Sequence, residues 1–225
     1  MEIFEAIRTR RSIRKYKDKP VPWDNIVTIM QAGKYAPSAG NLQNWKFIVI
    51  KNDARRQAIA KACIKQDWME QAPIFIAIVA EPERARMYYG NRGARLYTNH
   101  ACGAVIQNML LTAHSLGLGA CWVGAFDEDE IFRILNLAEE KSVQGIITIG
   151  YADETPQPPP KYRIEHMMYF EKWWGRRDVP KVTHLGWWSG YYPELIGEGK
   201  KLLKRTGKNI KEHIDKRINK KSGNR

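Results

Sequence analysis

Apolar positions along the chain follow two periods. Ile3, Phe4 and Ile7 recur at helical spacing, which predicts a short helix over residues 2–9 with one apolar face. Pro20-Val21-Pro22 interrupts the chain. Ile26, Ile29, Met30 and Gly33 then predict a second helix that ends before Pro37. Residues 36–45 are small and polar, a loop that runs into an apolar strand over 46–50. Asp53 suits the N-cap of a helix reaching about Ile64, with Ala58, Ile59 and Ala62 inward. Residues 73–80 are continuously apolar and rich in β-branched side chains, which reads as a strand buried on both faces. Residues 93–116 carry Leu96, Cys102, Val105, Ile106, Met109, Leu110 and Ala113 on more than one face. They predict a long helix, central or at a subunit interface, that stops at Gly117. Residues 119–124 form a short strand or turn. Asp127 with Glu130 resembles a capping box opening a helix to about Leu135, and residues 144–150 are a further strand. The run 155–160 is too rich in proline for a helix interior.

Few strands among helices, around one long helix, predict an α+β fold with a mixed central sheet flanked by helices. No Gly-x-Gly-x-x-Gly follows a strand and no Gly-x-x-x-x-Gly-Lys-Ser/Thr occurs, so neither a Rossmann dinucleotide domain nor a P-loop is supported. The chain of 225 residues can bury a real core, and it has no internal repeat. Its longest apolar run, near residues 74–80, falls short of a membrane span. Met1-Glu2-Ile3-Phe4-Glu5 lacks a signal-peptide core. A cytoplasmic protein without a membrane partner is therefore expected. Cys63, Cys102 and Cys121 are odd in number and widely spaced. They read as small buried apolar residues, with neither disulfide nor metal site expected.

Net charge is +13, and it is uneven: after Gly197 stand eleven bases against three acids. The basic character is mainly that of the tail. Closer to the start, Arg10-Arg11-Ser12-Ile13-Arg14 places three guanidiniums and a hydroxyl in five residues. Alone, such a run reads as a solvated basic face. Yet guanidinium forks suit phosphate oxygens, and a small-residue loop leading into a strand follows some 25 residues later. Together these fit a bound phosphorylated cofactor.

Five separated pieces, in order, resemble the FMN-dependent nitroreductase family. They are Arg10-Arg11-Ser12-Ile13-Arg14-Lys15-Tyr16; Ala36-Pro37-Ser38-Ala39-Gly40-Asn41-Leu42-Gln43-Asn44-Trp45; Gly117-Leu118-Gly119-Ala120-Cys121-Trp122-Val123-Gly124; Ile149-Gly150-Tyr151; and Lys161-x-Arg163. The likeness covers residues 1 to about 175. It divides the chain into an FMN-binding nitroreductase-like domain, 1–175, and a basic C-terminal extension, 176–225, expected to pack on the dimer. One departure is Asn44, where the family usually has proline; asparagine frees a backbone N–H.

The resemblance implies a nitroreductase-like fold and an intertwined homodimer. Arg10, Arg11, Ser12 and Arg14 would hold FMN, with Ser12 and one or both of the first two arginines on its phosphate. Lys161 and Arg163 would close on the same phosphate. Arg14 would lie nearer the flavin N1–C2=O edge as an electrostatic tuner. Pro37, Ser38, Ala39 and Asn41 would come from the other subunit, while Trp122, Val123, Gly124 and Ala125 would run along the flavin near N5. No side chain would be catalytic in itself. The flavin would take a hydride at N5 from NADH or NADPH and pass it to a small electron-poor acceptor, nitroaromatic or quinone-like, by a ping-pong mechanism. Dehalogenation, heterocycle oxidation and flavin fragmentation on the same framework stay open.

Other conspicuous residues have plainer readings. His100 and His114 on the long helix read as packing, since their separation fits no metal-ligand pair. Cys121 has no evident adjacent base and reads as packing too. Trp173-Trp174, Trp187-Trp188 and Tyr191-Tyr192 read as anchors for the C-terminal segment, with a lid over the flavin as the alternative. In the tail, Leu203, Ile210, Ile214 and Ile218 make a narrow stripe, which suits a surface helix clamped on the dimer. That reading is preferred to nucleic-acid binding through the basic face, and further still to an anionic membrane surface.

Overall fold

A computed structural model describes residues 1–64 and 66–175. Trp187-Trp188, Tyr191-Tyr192 and the tail stripe lie outside the described residues. The chain divides after Pro158 into two units.

The first unit is a four-stranded sheet with helices on both faces. Its strands are β1 (Trp45–Ile50), β2 (Ile74–Ala80), β3 (Gly119–Val123) and β4 (Ser142–Gly150), in the order β1-β2-β4-β3. Every neighbouring pair among them is antiparallel. A parallel pairing does occur, as the isolated bridge between Ser12 and Ala120 on the outer edge of β3. The α+β class is as the sequence predicts.

All seven residues of β2 are buried, and its two side-chain rows serve two cores. Ile74, Ile76, Ile78 and Ala80 face α2 (Trp23–Lys34) and α5 (Thr98–Ser115), where Ile26, Ile29, Ile106 and Met109 pack. Phe75 and Ala77 face the layer of α3 (Asp53–Ala62) and α6 (Glu128–Leu135), which contributes Ile59 and Ile131. Each fully buried aliphatic side chain adds about 1.5–3 kcal/mol. Gly33 lets α2 approach α5, since a Cβ there would lie 3.0 Å from Met109 Cγ.

Local chemistry sets the helix ends, with some differences from the sequence reading. Helix α3 is capped by Asn52, whose side chain accepts from the Arg55 N–H, so the cap is not Asp53. Asp53 instead pairs with Arg56 at 2.6 Å. Asp127 caps α6 by accepting from the Glu130 N–H at 2.9 Å, but the Glu130 carboxylate turns to Arg133. The reciprocal half of the capping box is unmade, because the Asp127 N–H is already bonded to the Ala62 carbonyl. At the end of α5, Gly117 adopts φ +74° while Gly117 and Leu118 donate back to His114 and Ala113. The long apolar stretch does not begin as a regular helix. Residues Gly93–Tyr97 form a π-helical turn before α5.

Helix α4 (Pro82–Arg92) was not anticipated, although Pro82 at its first turn is a start signal. It breaks at Gly90, φ +58°. Asn44, at the family's proline position, is 2% exposed. Its side-chain amide donates to Thr98 Oγ1 at 2.8 Å and to the Glu81 carbonyl at 3.3 Å. The start of β1 is thus tied by a buried polar bridge to α5 and to the approach to α4.

Helix α1 (Ile3–Thr9) forms as predicted, but its apolar residues face outward: Ile3, Phe4 and Ile7 are all exposed, and only Ala6 is buried.

The second unit begins at Pro159. Its described part holds a single helical turn, α7 (Ile164–Met167). Beyond it the rings of Tyr169, Trp173 and Trp174 cluster with centroids 4.8–5.8 Å apart.

Candidate active site

The basic run lies along the open edge of β3. Where α1 ends, Arg11 folds back so that Nη1 donates to the Arg8 and Arg10 carbonyls, each at 2.8 Å. Ser12 pairs with Ala120, and the Ile13 N–H donates to the Ala120 carbonyl at 3.1 Å. This covers a strand edge that would otherwise stand open. The approach is close because residue 119 lacks a side chain. A Cβ there would sit 2.9 Å from Ile13 Cγ2 and 3.0 Å from two further Ile13 carbons. Tyr16 finishes the run by pairing with Ala152. Its hydroxyl donates to the Ile13 carbonyl at 2.6 Å and meets Thr148 Oγ1 at 2.7 Å. Burial raises the Tyr16 pKa, so the phenol is neutral and serves as an anchor.

Among the described residues no carboxylate forms an ion pair with Arg10, Arg11 or Arg14. Arg10 is half-buried, and burial followed by the neighbouring Arg11 charge lowers its pKa. A guanidinium in that position gains from an anion. Cys121 lies beside the same segment. Burial raises its pKa, against the opposing pull of Arg14, a hydrogen bond with Ser12, and Arg10. It is therefore a thiol rather than a thiolate, in line with a packing role. Cys63 and Cys102, both buried, are pushed up to about 12. No cluster of His, Cys, Asp and Glu suited to a metal occurs among the described residues.

His114 approaches from α5, its Nε2 at 2.8 Å from Thr9 Oγ1. Burial, then Arg10 and Arg11, lower its pKa, while Glu5 pulls the other way. The folded state thus disfavours imidazolium. The stability this lends is present above the ordinary histidine pKa, and it is lost as pH falls through the lower folded value. Thermal melts from pH 7.5 to 5 should show a fall in Tm on the acid side that His114→Gln reduces. An identical acid limb in the variant would remove His114 from this account.

Residues 122–125 leave the same strand. Trp122 is 43% exposed, and its indole lies against Gly145, where a Cβ would sit 2.4 Å from Nε1 and 3.0 Å from Ile106 Cδ1. Val123 is buried, whereas Gly124 and Ala125 are exposed. The Ala125 carbonyl accepts from Gln66 Nε2 at 3.3 Å. Two residues on, the Trp68 ring carries the Arg14 guanidinium, 5.8 Å from its centroid. Glu154 Oε1 accepts from the Arg14 N–H at 2.5 Å and the Lys15 N–H at 3.1 Å. Gln66, Trp68 and Glu154 escaped the sequence reading. Each meets the basic run or the 122–125 stretch only through the fold, and no motif marks them.

The loop with Pro37, Ser38, Ala39 and Asn41 is at the other edge of the sheet. Gly40 takes φ +56°, which favours glycine, and a Cβ on it would lie 2.5 Å from the Tyr89 hydroxyl. Asn41 and Gln43 also have positive φ. The Gln43 N–H donates to Ser38 Oγ at 3.0 Å, and Gln43 Nε2 donates to Asn41 Oδ1 at 3.1 Å. The loop feeds β1, and β2 and β4 stand between β1 and β3. At roughly 4.8 Å per strand spacing, one chain does not bring this loop to Arg10–Arg14. Lys161 and Arg163 belong to the second unit, where both are exposed.

Comparison with known proteins gives a consistent result. The family model described as the nitroreductase family matches residues 7–66 and 61–151. A relative from Methanothermobacter thermautotrophicus, named a putative NADH dehydrogenase/NAD(P)H nitroreductase, is 32% identical over 177 residues, covering 77% of this chain and 88% of that protein. The FMN reductase [NAD(P)H] of Bacillus subtilis is 27% identical over 181 residues, 73% of each chain. Among solved structures, the NADPH:FMN oxidoreductase of Vibrio harveyi complexed with NAD+ superposes with a TM-score of 0.70 at 25% identity, over 76% of this chain and 77% of that one.

Proposed function

Because this chain belongs to the nitroreductase family, we propose that its FMN- and NAD(P)H-dependent oxidoreductase activity serves small electron-poor acceptors, nitroaromatic or quinone-like, in a ping-pong cycle. One observation carries the reading: a half-buried Arg10 beside Arg11 and Ser12, without a carboxylate partner among the described residues, braced against β3. These residues fit a phosphate. FMN, when bound, supplies the hydride chemistry that no side chain here could supply alone.

The chain's own residues bind and orient. Arg10 is the stronger phosphate ligand of the first pair, since Arg11 already gives one nitrogen to two carbonyls. Ser12 adds a neutral donor. Arg14 supplies positive charge to the ring's pyrimidine edge, which favours the reduced, anionic form. Gly124 and Ala125, both exposed, would offer backbone groups to the ring.

The site is completed in a homodimer, where Pro37, Ser38, Ala39 and Asn41 come from the second protomer. Two features support this: these residues lie across the sheet from Arg10–Arg14, and α1 exposes Ile3, Phe4 and Ile7. Among the described residues no helix is long and apolar enough to cross a membrane.

The test uses the full chain reconstituted with FMN. Flavin absorbance that bleaches anaerobically with NADH or NADPH, returns on adding a quinone or nitroaromatic, and gives parallel double-reciprocal plots supports the proposal. Failure to retain FMN overturns the site. Bleaching without reoxidation by either acceptor class overturns the acceptor assignment.

A further inference from the structure

Arg14 is exposed, so nothing in its own burial explains how its guanidinium would hold one position. A free arginine side chain samples many rotamers, and ordering it costs conformational entropy. Two residues outside the sequence motifs act on it from opposite ends. We propose that Glu154 and Trp68 are positioning residues that brace Arg14, Glu154 through the main chain and Trp68 through the guanidinium face. The inference rests on the reading that the basic run holds FMN.

Glu154 follows the Tyr16–Ala152 pairing, where the Asp153 N–H also donates to the Lys15 carbonyl at 2.9 Å. That register delivers the Glu154 carboxylate to the Arg14 and Lys15 N–H groups, and one oxygen accepts from both. Strand pairing would not satisfy these donors, because the bridge to β3 is confined to Ser12. The carboxylate therefore fixes the backbone direction from which the Arg14 side chain departs.

Trp68 acts at the far end. Its ring is anchored at the margin of the core below α3 and α6. The short 3₁₀ turn Asp67–Gln71 holds it there, and the Arg14 guanidinium carbon stands 5.8 Å from its centroid. A cation over the indole face is attracted by the ring quadrupole. Gln66, beside this turn, reaches the Ala125 carbonyl. The 66–68 stretch thus spans from the arginine run to the 122–125 backbone, the two pieces whose relative placement the cofactor would read.

The experiment is a double-mutant cycle on the full chain, read by FMN titration of the apoprotein, by the flavin midpoint potential and by apoprotein Tm. Trp68→Leu should weaken FMN about 2–5-fold, as for loss of one exposed cation–π contact. It should also lower the potential in the direction of Arg14→Gln. In the Arg14→Gln background the same change should do neither, because the group it braces is gone. Trp68→Phe keeps an aromatic face and should restore most of the effect. Glu154→Ala should weaken FMN, while Glu154→Gln, whose carbonyl still accepts both N–H groups, should stay within about twofold of the parent. Equal effects of Trp68→Leu in both backgrounds would overturn the brace, as would Glu154→Ala indistinguishable from the parent. A drop in Tm that Trp68→Phe repairs without repairing the potential would also overturn it. Failure of the underlying site reading is separately visible: Arg10→Ala would then leave FMN affinity untouched.

Discussion

Arg10→Ala combined with Arg11→Ala should weaken FMN binding by roughly 10²–10⁴-fold while leaving the apoprotein folded. A hydrogen bond to a charged group contributes about 1.5–3 kcal/mol, or ten- to more than a hundredfold for each partner lost. The fold should tolerate the loss of Arg10 in particular. Its charge is disfavoured by burial and by Arg11, and among the described residues no carboxylate ion pair depends on it. Removing it relieves a repulsion and breaks no ion pair among the described residues, so the Arg10→Ala apoprotein should melt close to the parent. Arg11→Ala is different, because Arg11 Nη1 satisfies the Arg8 carbonyl at the end of α1. That variant should lose some stability as well as some affinity. Arg10→Lys keeps the charge without the planar fork and should recover only part of the binding. Fluorescence titration of FMN against each apoprotein, beside thermal melts, separates the cases. Unchanged affinity in the double variant would refute phosphate binding by this segment.

Gly119→Ala should destabilise the protein by about 1–3 kcal/mol and weaken FMN with it. The added methyl would lie within 3.0 Å of three carbons of Ile13. Ile13 is β-branched and 7% exposed, so it has little room to turn away. Its backbone must move instead. Ile13 sits between Ser12 and Arg14, and its N–H holds the Ala120 carbonyl. A displacement of a few tenths of an ångström would therefore pass directly to the proposed phosphate ligands. Ile13→Ala in the Gly119→Ala background removes Cγ1 and Cγ2, two of the three crowding carbons, and should therefore cost less there than it does in the parent. Strict additivity of the two substitutions in denaturant melts would mean that crowding against Ile13 is not the cause. Glycine in the Gly119 stretch thus has a steric purpose, to let a loop lie flat on a strand edge.

Much of the architecture was legible beforehand because it is written in short-range patterns. The continuous apolar run at residues 73–80 could only be a strand covered on both faces, and all of Ile74–Ala80 is buried. The periods at Ile26 and Ile29, and at Val105, Ile106 and Met109, marked the helices that cover one face. Caps were less legible. Asn52 and Asp53 are both competent acceptors, and which one caps α3 depends on a single residue of phase. Helix α4 has a weak pattern, since it buries only Ala85 and exposes Met87 and Tyr88. Ion pairs flank it: Glu81, just before it, meets Lys46 at 3.3 Å and Lys141 at 3.8 Å, and Glu83 pairs with Lys141.

By itself the sequence determined most of the helical and extended segments, the family, and a basic run suited to phosphate, because propensity, periodicity and side-chain chemistry act over a few neighbouring residues. The tertiary structure alone decided that this run lies on β3, that β2 and β4 separate it from the Pro37–Asn41 loop, and that Trp68 and Glu154 meet Arg14. Those juxtapositions join residues up to 140 positions apart. They follow from strand order and register, which are set by the joint packing of both cores and leave no trace in any local window of the chain.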